Sequence, residues 1–80
     1  MKRYAIAIYM ANGNYSAHVL DVDGCIATGD TIEETVVNMR EALEFHFEGM
    51  AEDSEAIPEP AAIVDYVEVK IPRPAKRKAG

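Results

Sequence analysis

One segment in the middle of the chain has the periodicity of a long amphipathic helix. Between Ile32 and Met50, apolar side chains recur every three or four residues, and glutamates occupy the opposite side. Thr31 and Glu34 have the spacing of a capping box, and Gly49 is suited to end the helix in a left-handed conformation. The apolar stripe consists of Ile32, Val36, Met39, Leu43, Phe47 and Met50. Since no other segment has this pattern, the sequence predicts one helix, which can cover only one face of a sheet.

The residues before this helix alternate with the period of two that is typical of strands. Asn12 and Gly13 separate two such segments, and this dipeptide favours a hairpin because both residues accept positive φ. A turn at residues 21–24 then leads into a short alternating segment at residues 25–28. The N-terminal part therefore predicts three antiparallel strands in a meander.

The residues after the helix predict a fourth strand at 63–71, with Pro58 and Pro60 before it and Pro72 directly after it. The order β-β-β-α-β makes the helix a crossover, so the last strand is expected to lie parallel to the first and beside it. The predicted fold class is α+β, with a four-stranded mixed sheet and one helix on one face. The uncovered face predicts an oligomer or a complex.

Length and composition are those of one small globular domain. The chain has 80 residues, of which 49% are hydrophobic and 28% charged, which argues against disorder. We expect a domain at 1–71 and a basic, disordered tail at 72–80. The single cysteine excludes internal disulfides, and no apolar run is long enough to span a membrane. These features predict a cytoplasmic protein with no membrane contact.

The charge is unevenly distributed along the chain. Residues 1–72 contain all 14 acidic groups and four basic ones, whereas the remaining four basic groups follow from Arg73 onward. An acidic body repels nucleic-acid phosphates and attracts cations, so the natural partner is a basic protein. The basic end carries no groove-entering helix or interleaved aromatic residues, and it is interpreted as a solubilising tail.

Residues 20–34 concentrate polar side chains in a way that suggests a site. Cys25 could be a nucleophile, but its acidic surroundings favour a buried structural thiol. Asp21, Asp23 and Asp30, with His18, could hold a metal ion, but their spacing lacks the closing acidic residue of a calcium loop. We therefore predict no catalytic, cofactor or metal residues, and we assign the three aspartates as acidic partner-binding positions.

Several short motifs, in order and at these spacings, resemble the HicB family of bacterial antitoxins over about residues 4–70. They are Gly24-Cys25, the run Ala27-Thr28-Gly29-Asp30-Thr31, Glu33-Glu34, Arg40-Glu41-Ala42-Leu43 and Ile57-Pro58-Glu59-Pro60. The resemblance implies a partial ribonuclease-H-like fold and a role in neutralising HicA, a small basic toxin that cleaves RNA, by covering its active or RNA-binding surface. It also implies a homodimer or a larger homo-oligomer, without a cofactor. Many members carry a C-terminal DNA-binding module, but only nine residues follow Ile71, so direct DNA binding is not expected.

Two alternatives remain beside the antitoxin hypothesis. The first is a solitary homo-oligomeric regulator, or a small-ligand-binding domain, that has no toxin. The second is a metal-dependent hydrolase that would use Asp21, Asp23 and Asp30. Ribonuclease-H-like nucleases need clustered carboxylates, one of them on the first strand, whereas residues 1–20 contain no Asp or Glu. We therefore expect that the chain is not an enzyme.

Overall fold

The computed structural model describes residues 1–75, which form an α+β fold. Three strands, β1 (Ile6–Ala11), β2 (Asn14–Val19) and β3 (Ile26–Gly29), precede one helix, α1 (Ile32–Glu52). The strands form an antiparallel sheet in the order β1-β2-β3, and α1 packs over β3 and β2. The predicted three-stranded meander and the helix that follows it are therefore confirmed within the described residues.

The β1–β2 hairpin turns at the predicted dipeptide. Asn12 has φ 52° and Gly13 has φ 84°, so both residues are left-handed, as a two-residue hairpin turn with the favoured twist requires. The register pairs Ala11 with Asn14 next to the turn. Local turn chemistry thus determines which residues of β1 and β2 face each other.

The start of α1 follows the prediction, but its end does not. Thr31 Oγ1 accepts a hydrogen bond of 3.0 Å from the Glu34 N–H, which makes Thr31 the N-cap. The predicted end at Gly49 is wrong, because α1 continues to Glu52 and Ser54 takes the left-handed position with φ 57°. The residues after Gly49 are good helix formers, and one glycine costs only about 1 kcal/mol in a helix, so the helix continues past it.

The core lies between α1 and the inner face of the sheet. Its buried apolar residues are Ala17, Val19, Val22, Cys25, Ala27, Met39 and Leu43. Thr35 is fully buried beside them, and its hydroxyl donates a hydrogen bond of 2.7 Å to the Thr31 carbonyl. A Cβ on Gly29 would lie 2.6 Å from Thr35 Oγ1 and 2.7 Å from the Thr35 backbone nitrogen. The end of β3 therefore approaches the first turn of α1 too closely for any side chain at residue 29.

The sheet has three strands, rather than the four expected, because residues 63–71 pair with no strand. The connection before them is held against the sheet: Tyr4 donates a hydrogen bond of 2.6 Å to the Pro58 carbonyl, and the N–H groups of Ala61 and Ala62 each donate one of 3.0 Å to Asp21 Oδ2. After Ala62, residues 63–71 are exposed and pair with no strand. We call residues 63–71 the C-terminal segment.

The basic tail predicted at 72–80 is described only in part. Arg73 is exposed, whereas Lys76, Arg77 and Lys78 lie outside the described residues. Among residues 1–75, no helix is both long enough and apolar enough to cross a membrane.

Candidate partner-binding surfaces

The three predicted aspartates lie at different places in the fold. Asp21 is half-buried, and one of its carboxylate oxygens accepts both N–H groups of the connection at 61–62. Asp23 and Asp30 are exposed in the turns at opposite ends of β3. Within residues 1–75, no three His, Cys, Asp or Glu side chains lie close enough together to hold a metal ion. Asp21 therefore has a structural contact that sequence reasoning missed, because its partners are about 40 residues away in the chain.

Cys25 is buried, as the sequence analysis predicted. Its Sγ lies 3.9 Å from Met39 Sδ in the core, and only 5% of the residue is exposed. Burial raises the pKa of the Cys25 thiol, because the thiolate would lose its hydration. The neutral thiol therefore acts as a small apolar core side chain.

Helix α1 presents a strongly acidic surface to solvent, which we call the acidic helix face. Its exposed glutamates are Glu33, Glu34, Glu41, Glu44, Glu48 and Glu52. Glu33 and Glu34 lie in the first turn, where the positive end of the helix dipole stabilises them. The last turn contains no basic residue, and Glu52 lies at the negative end of the dipole, where a carboxylate is unfavourable. The folding of α1 alone does not explain why Glu52 lies at the unfavourable end of the helix dipole.

The face of the sheet opposite α1 is uncovered, as expected from a single helix. Tyr9 is 58% exposed on β1 and Ile26 is 64% exposed on β3. His18 lies on β2, where it pairs with Ile26, and its ring stacks on Tyr9 with centroids 5.7 Å apart and planes 11° from parallel. We call this row the open sheet face. It offers a small aromatic and apolar surface to a partner.

A groove runs between β1 and α1 and has a volume of about 1090 Å³. We call it the β1 groove. Its apolar lining comprises Met1, Tyr4, Ile6, Val36, Met39, Leu43, Phe47 and Ile57. Three basic residues, Lys2, Arg3 and Arg40, also line it, together with Glu44 and Glu59. Sequence analysis missed this groove because the fourth strand of the same chain was expected to fill it.

Comparison with known proteins identifies the family. The family model described as the HicB-like antitoxin of bacterial toxin–antitoxin systems matches residues 4–71. The chain therefore belongs to the HicB-like antitoxin family, in agreement with the resemblance found in its motifs.

Two relatives illustrate the range of similarity. An uncharacterised 14.9 kDa protein from the rep-hol intergenic region of Haemophilus phage HP1 is 44% identical over 64 residues, which cover 80% of this chain and 48% of the phage protein. A UPF0150 protein of Synechocystis sp. is 30% identical over 60 residues, which cover 75% of this chain and 76% of that protein. The chain thus spans about half the length of the phage relative. No solved structure matches it.

Proposed function

We propose that this chain is an antitoxin that binds a small, basic, HicA-like RNA-cleaving toxin and neutralises it by covering its active or RNA-binding surface. Membership of the HicB-like antitoxin family supports an antitoxin role in general. The basic character of the proposed partner follows from the charge of this chain, because residues 1–75 carry all 14 acidic groups and only five Lys or Arg side chains.

The observation that carries the proposal is the charge at the end of α1. Glu48 and Glu52 lie near the negative end of the helix dipole, with Asp53 as the C-cap and no basic residue in the last turn. This placement is unfavourable in the isolated chain and becomes favourable beside Lys or Arg side chains of a partner. A field of one sign also accelerates association with a partner of opposite sign.

The three predicted aspartates extend this acidic surface. Asp23 and Asp30 are exposed and available for ion pairs with the toxin. Asp21 uses Oδ2 to hold the connection at 61–62, which leaves Oδ1 for a partner. In this proposal Asp23 and Asp30 contribute more than Asp21, because forming their contacts disturbs no internal hydrogen bond.

The proposal includes the setting in which the protein works. Residues 1–71 act as the antitoxin unit in the cytoplasm, 72–80 form a solubilising tail, and the chain works as a homodimer or a larger homo-oligomer. A fourth strand beside β1 would complete the β-β-β-α-β order of a partial ribonuclease-H-like fold. No catalytic role is proposed for any residue of this fold.

The test is co-expression with the product of an adjacent small, basic reading frame, followed by affinity capture and a growth assay. We expect a stable complex, restored growth, and an association rate that falls as salt rises, because salt screens exposed charges. Absence of both complex and growth rescue contradicts the proposal. Absence of any such reading frame favours the solitary homo-oligomeric regulator.

Two double variants that remove the same amount of charge locate the contact with the toxin. Asp23→Asn with Asp30→Asn removes two exposed charges near β3, whereas Glu55→Gln with Glu68→Gln removes two exposed charges that follow the helix. We expect the first pair to weaken toxin binding more than tenfold and the second pair to change mainly the association rate. Equal effects of the two pairs would contradict specific contacts at Asp23 and Asp30.

A further inference from the structure

The C-terminal segment combines the pattern of a strand with the exposure of an unfolded chain. Ile63, Val67, Val69 and Ile71 are between 67% and 92% exposed. In an extended chain they share one side with Asp65, while residues 64, 66, 68 and 70 occupy the other. Soluble monomers rarely leave so many neighbouring large apolar side chains in water. The segment therefore has the composition of a strand that lacks its partner.

The fold also contains a strand edge that lacks a partner. Leu20 N–H donates a hydrogen bond of 3.0 Å to the Ala5 carbonyl, so alternate residues from Ala5 onward direct their backbone groups toward β2. Ile6, Ile8 and Met10 must direct theirs away from β2, and no hydrogen bond within residues 1–75 reaches these groups. The opposite edge differs, because Asn38 Nδ2 donates a hydrogen bond of 2.8 Å to the Thr28 carbonyl of β3.

The β1 groove lies beside this free edge and has the chemistry that suits the C-terminal segment. Ile6, Met39, Leu43 and Phe47 offer apolar contacts to side chains of a strand placed along β1. The groove contains three of the five Lys and Arg in residues 1–75 against two carboxylates, Glu44 and Glu59, so its lining is slightly basic although the molecule is acidic. A basic toxin is disfavoured there, whereas the C-terminal segment, whose groove-facing side carries the carboxylate of Asp65 among apolar side chains, is favoured.

In one copy the segment does not occupy its own groove. The hydrogen bonds from Tyr4 to Pro58 and from Ala61 and Ala62 to Asp21 hold the connection near the start of β1, but no residue of 63–71 lines the groove, and the apolar side chains of the segment are exposed. Each copy thus has one free strand and one free groove. Two copies related by a two-fold axis can exchange strands and satisfy both features in a closed assembly.

We propose that the C-terminal segment of one copy adds to the free edge of β1 in a second copy, and that its apolar side fills the β1 groove there. Ile63, Val67, Val69 and Ile71 pack on the partner's helix, and Asp65 lies near the basic residues of that groove. The exchange completes the sheet in trans with a fourth strand. It is independent of toxin binding, since the purified chain contains every part.

The first test measures mass by light scattering over a range of concentrations of the purified full chain. We expect twice the chain mass of 8.8 kDa. Val67→Asp with Val69→Asp should raise the dimer dissociation constant by at least about 100-fold, because each change places a charge in an apolar contact. The helical signal in the circular dichroism spectrum should be retained, since both residues are exposed within one copy.

The matched control is Val64→Asp with Tyr66→Asp, which adds the same charge to the other side of the same segment. We expect this pair to retain the dimer, with a dissociation constant within about tenfold of the parent value. Equal loss of the dimer in both pairs would overturn the placement in the groove. A parent chain that is monomeric at all concentrations would overturn the exchange.

The second test distinguishes exchange from folding back. Copies carrying Met10→Cys are mixed with tagged copies carrying Val69→Cys and treated with a short bismaleimide, while the parent chain controls for the buried Cys25. We expect a cross-linked product that contains one copy of each kind. A second sample contains chains that each carry both Met10→Cys and Val69→Cys. If cross-links in this sample form only within single chains, the segment occupies its own groove and the proposal is overturned.

Discussion

Strand β1 and the C-terminal segment both have the alternating pattern of a strand, but only β1 is paired in the structure. The segment IAIYMA forms a paired strand, whereas IVDYVEVKI, with the same alternation and more β-branched residues, is extended without any paired neighbour. The partner of β1 begins three residues after β1 ends, across a turn that Asn12 and Gly13 favour. The strand edge that we propose as the partner of the C-terminal segment, on β1, lies at least 50 residues away in sequence. A strand pattern thus becomes a strand only where a neighbour is within reach of its hydrogen-bonding groups.

The same comparison separates side chains that stabilise one copy from side chains that do not. Met39 is 2% exposed beneath α1, whereas Val67 is 84% exposed on the C-terminal segment. The hydrophobic effect contributes to folding only for area that folding removes from water. Stability of one copy therefore depends on residues 4–62, and the exposed side chains of the C-terminal segment contribute little to it.

The largest expected effect contrasts Met39→Ala with Val69→Ala. We expect Met39→Ala to lower the free energy of unfolding by about 2–5 kcal/mol, because it removes buried volume and leaves a cavity. Val69→Ala should change it by no more than about 0.5 kcal/mol, since the side chain is already in water. Urea unfolding of both variants, at concentrations where the chain is monomeric by light scattering, measures the difference. A comparable loss in the two variants would show that the segment packs within its own copy.

A smaller effect contrasts two glycines within the folded part. Gly29→Ala should lower the free energy of unfolding by about 1–3 kcal/mol, because its Cβ would collide with the backbone of Thr35 and force β3 and α1 apart. Gly49→Ala meets no atom within 4 Å and should raise it by about 0.5–1 kcal/mol, because alanine loses less backbone freedom in a helix.

The two glycine variants are measured side by side by urea unfolding at one protein concentration, because any self-association adds to apparent stability. A Gly29→Ala variant that is as stable as the parent, or more stable, would contradict the close approach of β3 to the first turn of α1. That approach gives a physical reason for glycine at position 29, directly before the Asp30-Thr31 start of the helix.

Sequence reasoning succeeded where the physical cause is local. The hairpin at Asn12-Gly13 and the cap at Thr31 depend on residues within three positions of each other, and both are confirmed. The burial of Cys25 was also predicted correctly, from its residue type, since free cysteine is among the most often buried residues. The end of α1 was misplaced because Gly49 tolerates a helical conformation as well as a left-handed one.

The remaining features depend on contacts between distant parts of the chain. Asp21 looked like a surface residue, but it receives hydrogen bonds from the N–H groups of Ala61 and Ala62. The fourth strand was expected from its alternation, but alternation does not specify which copy of the chain provides the neighbouring strand. The β1 groove exists only because that strand is absent from it, so no sequence pattern could indicate it.

The smallest expected effect lies in the connection between the two regions, where Lys2 Nζ contacts both carboxylate oxygens of Glu59 at 2.6 Å. The hydrogen bond from Lys2 to Glu59 raises the pKa of Lys2 above its ordinary value. Because the folded-state pKa of this lysine is raised, the contribution of the pair is complete below the unfolded-state pKa. It is lost as the pH rises through the raised value in the folded state.

Both side chains of this pair are mostly exposed, at 56% and 74%, so solvent screens the attraction and stability should hardly change. We therefore expect Glu59→Gln to return the pKa of Lys2 toward its ordinary value without a measurable shift in the urea midpoint. An NMR titration of the Lys2 side chain between about pH 9 and 12, in the parent chain and in Glu59→Gln, follows the pKa. A fall in the urea midpoint comparable to that of Gly29→Ala would contradict this assignment. It would mean that the connection at 57–62 is held mainly by this ion pair, rather than by its hydrogen bonds to Tyr4 and Asp21.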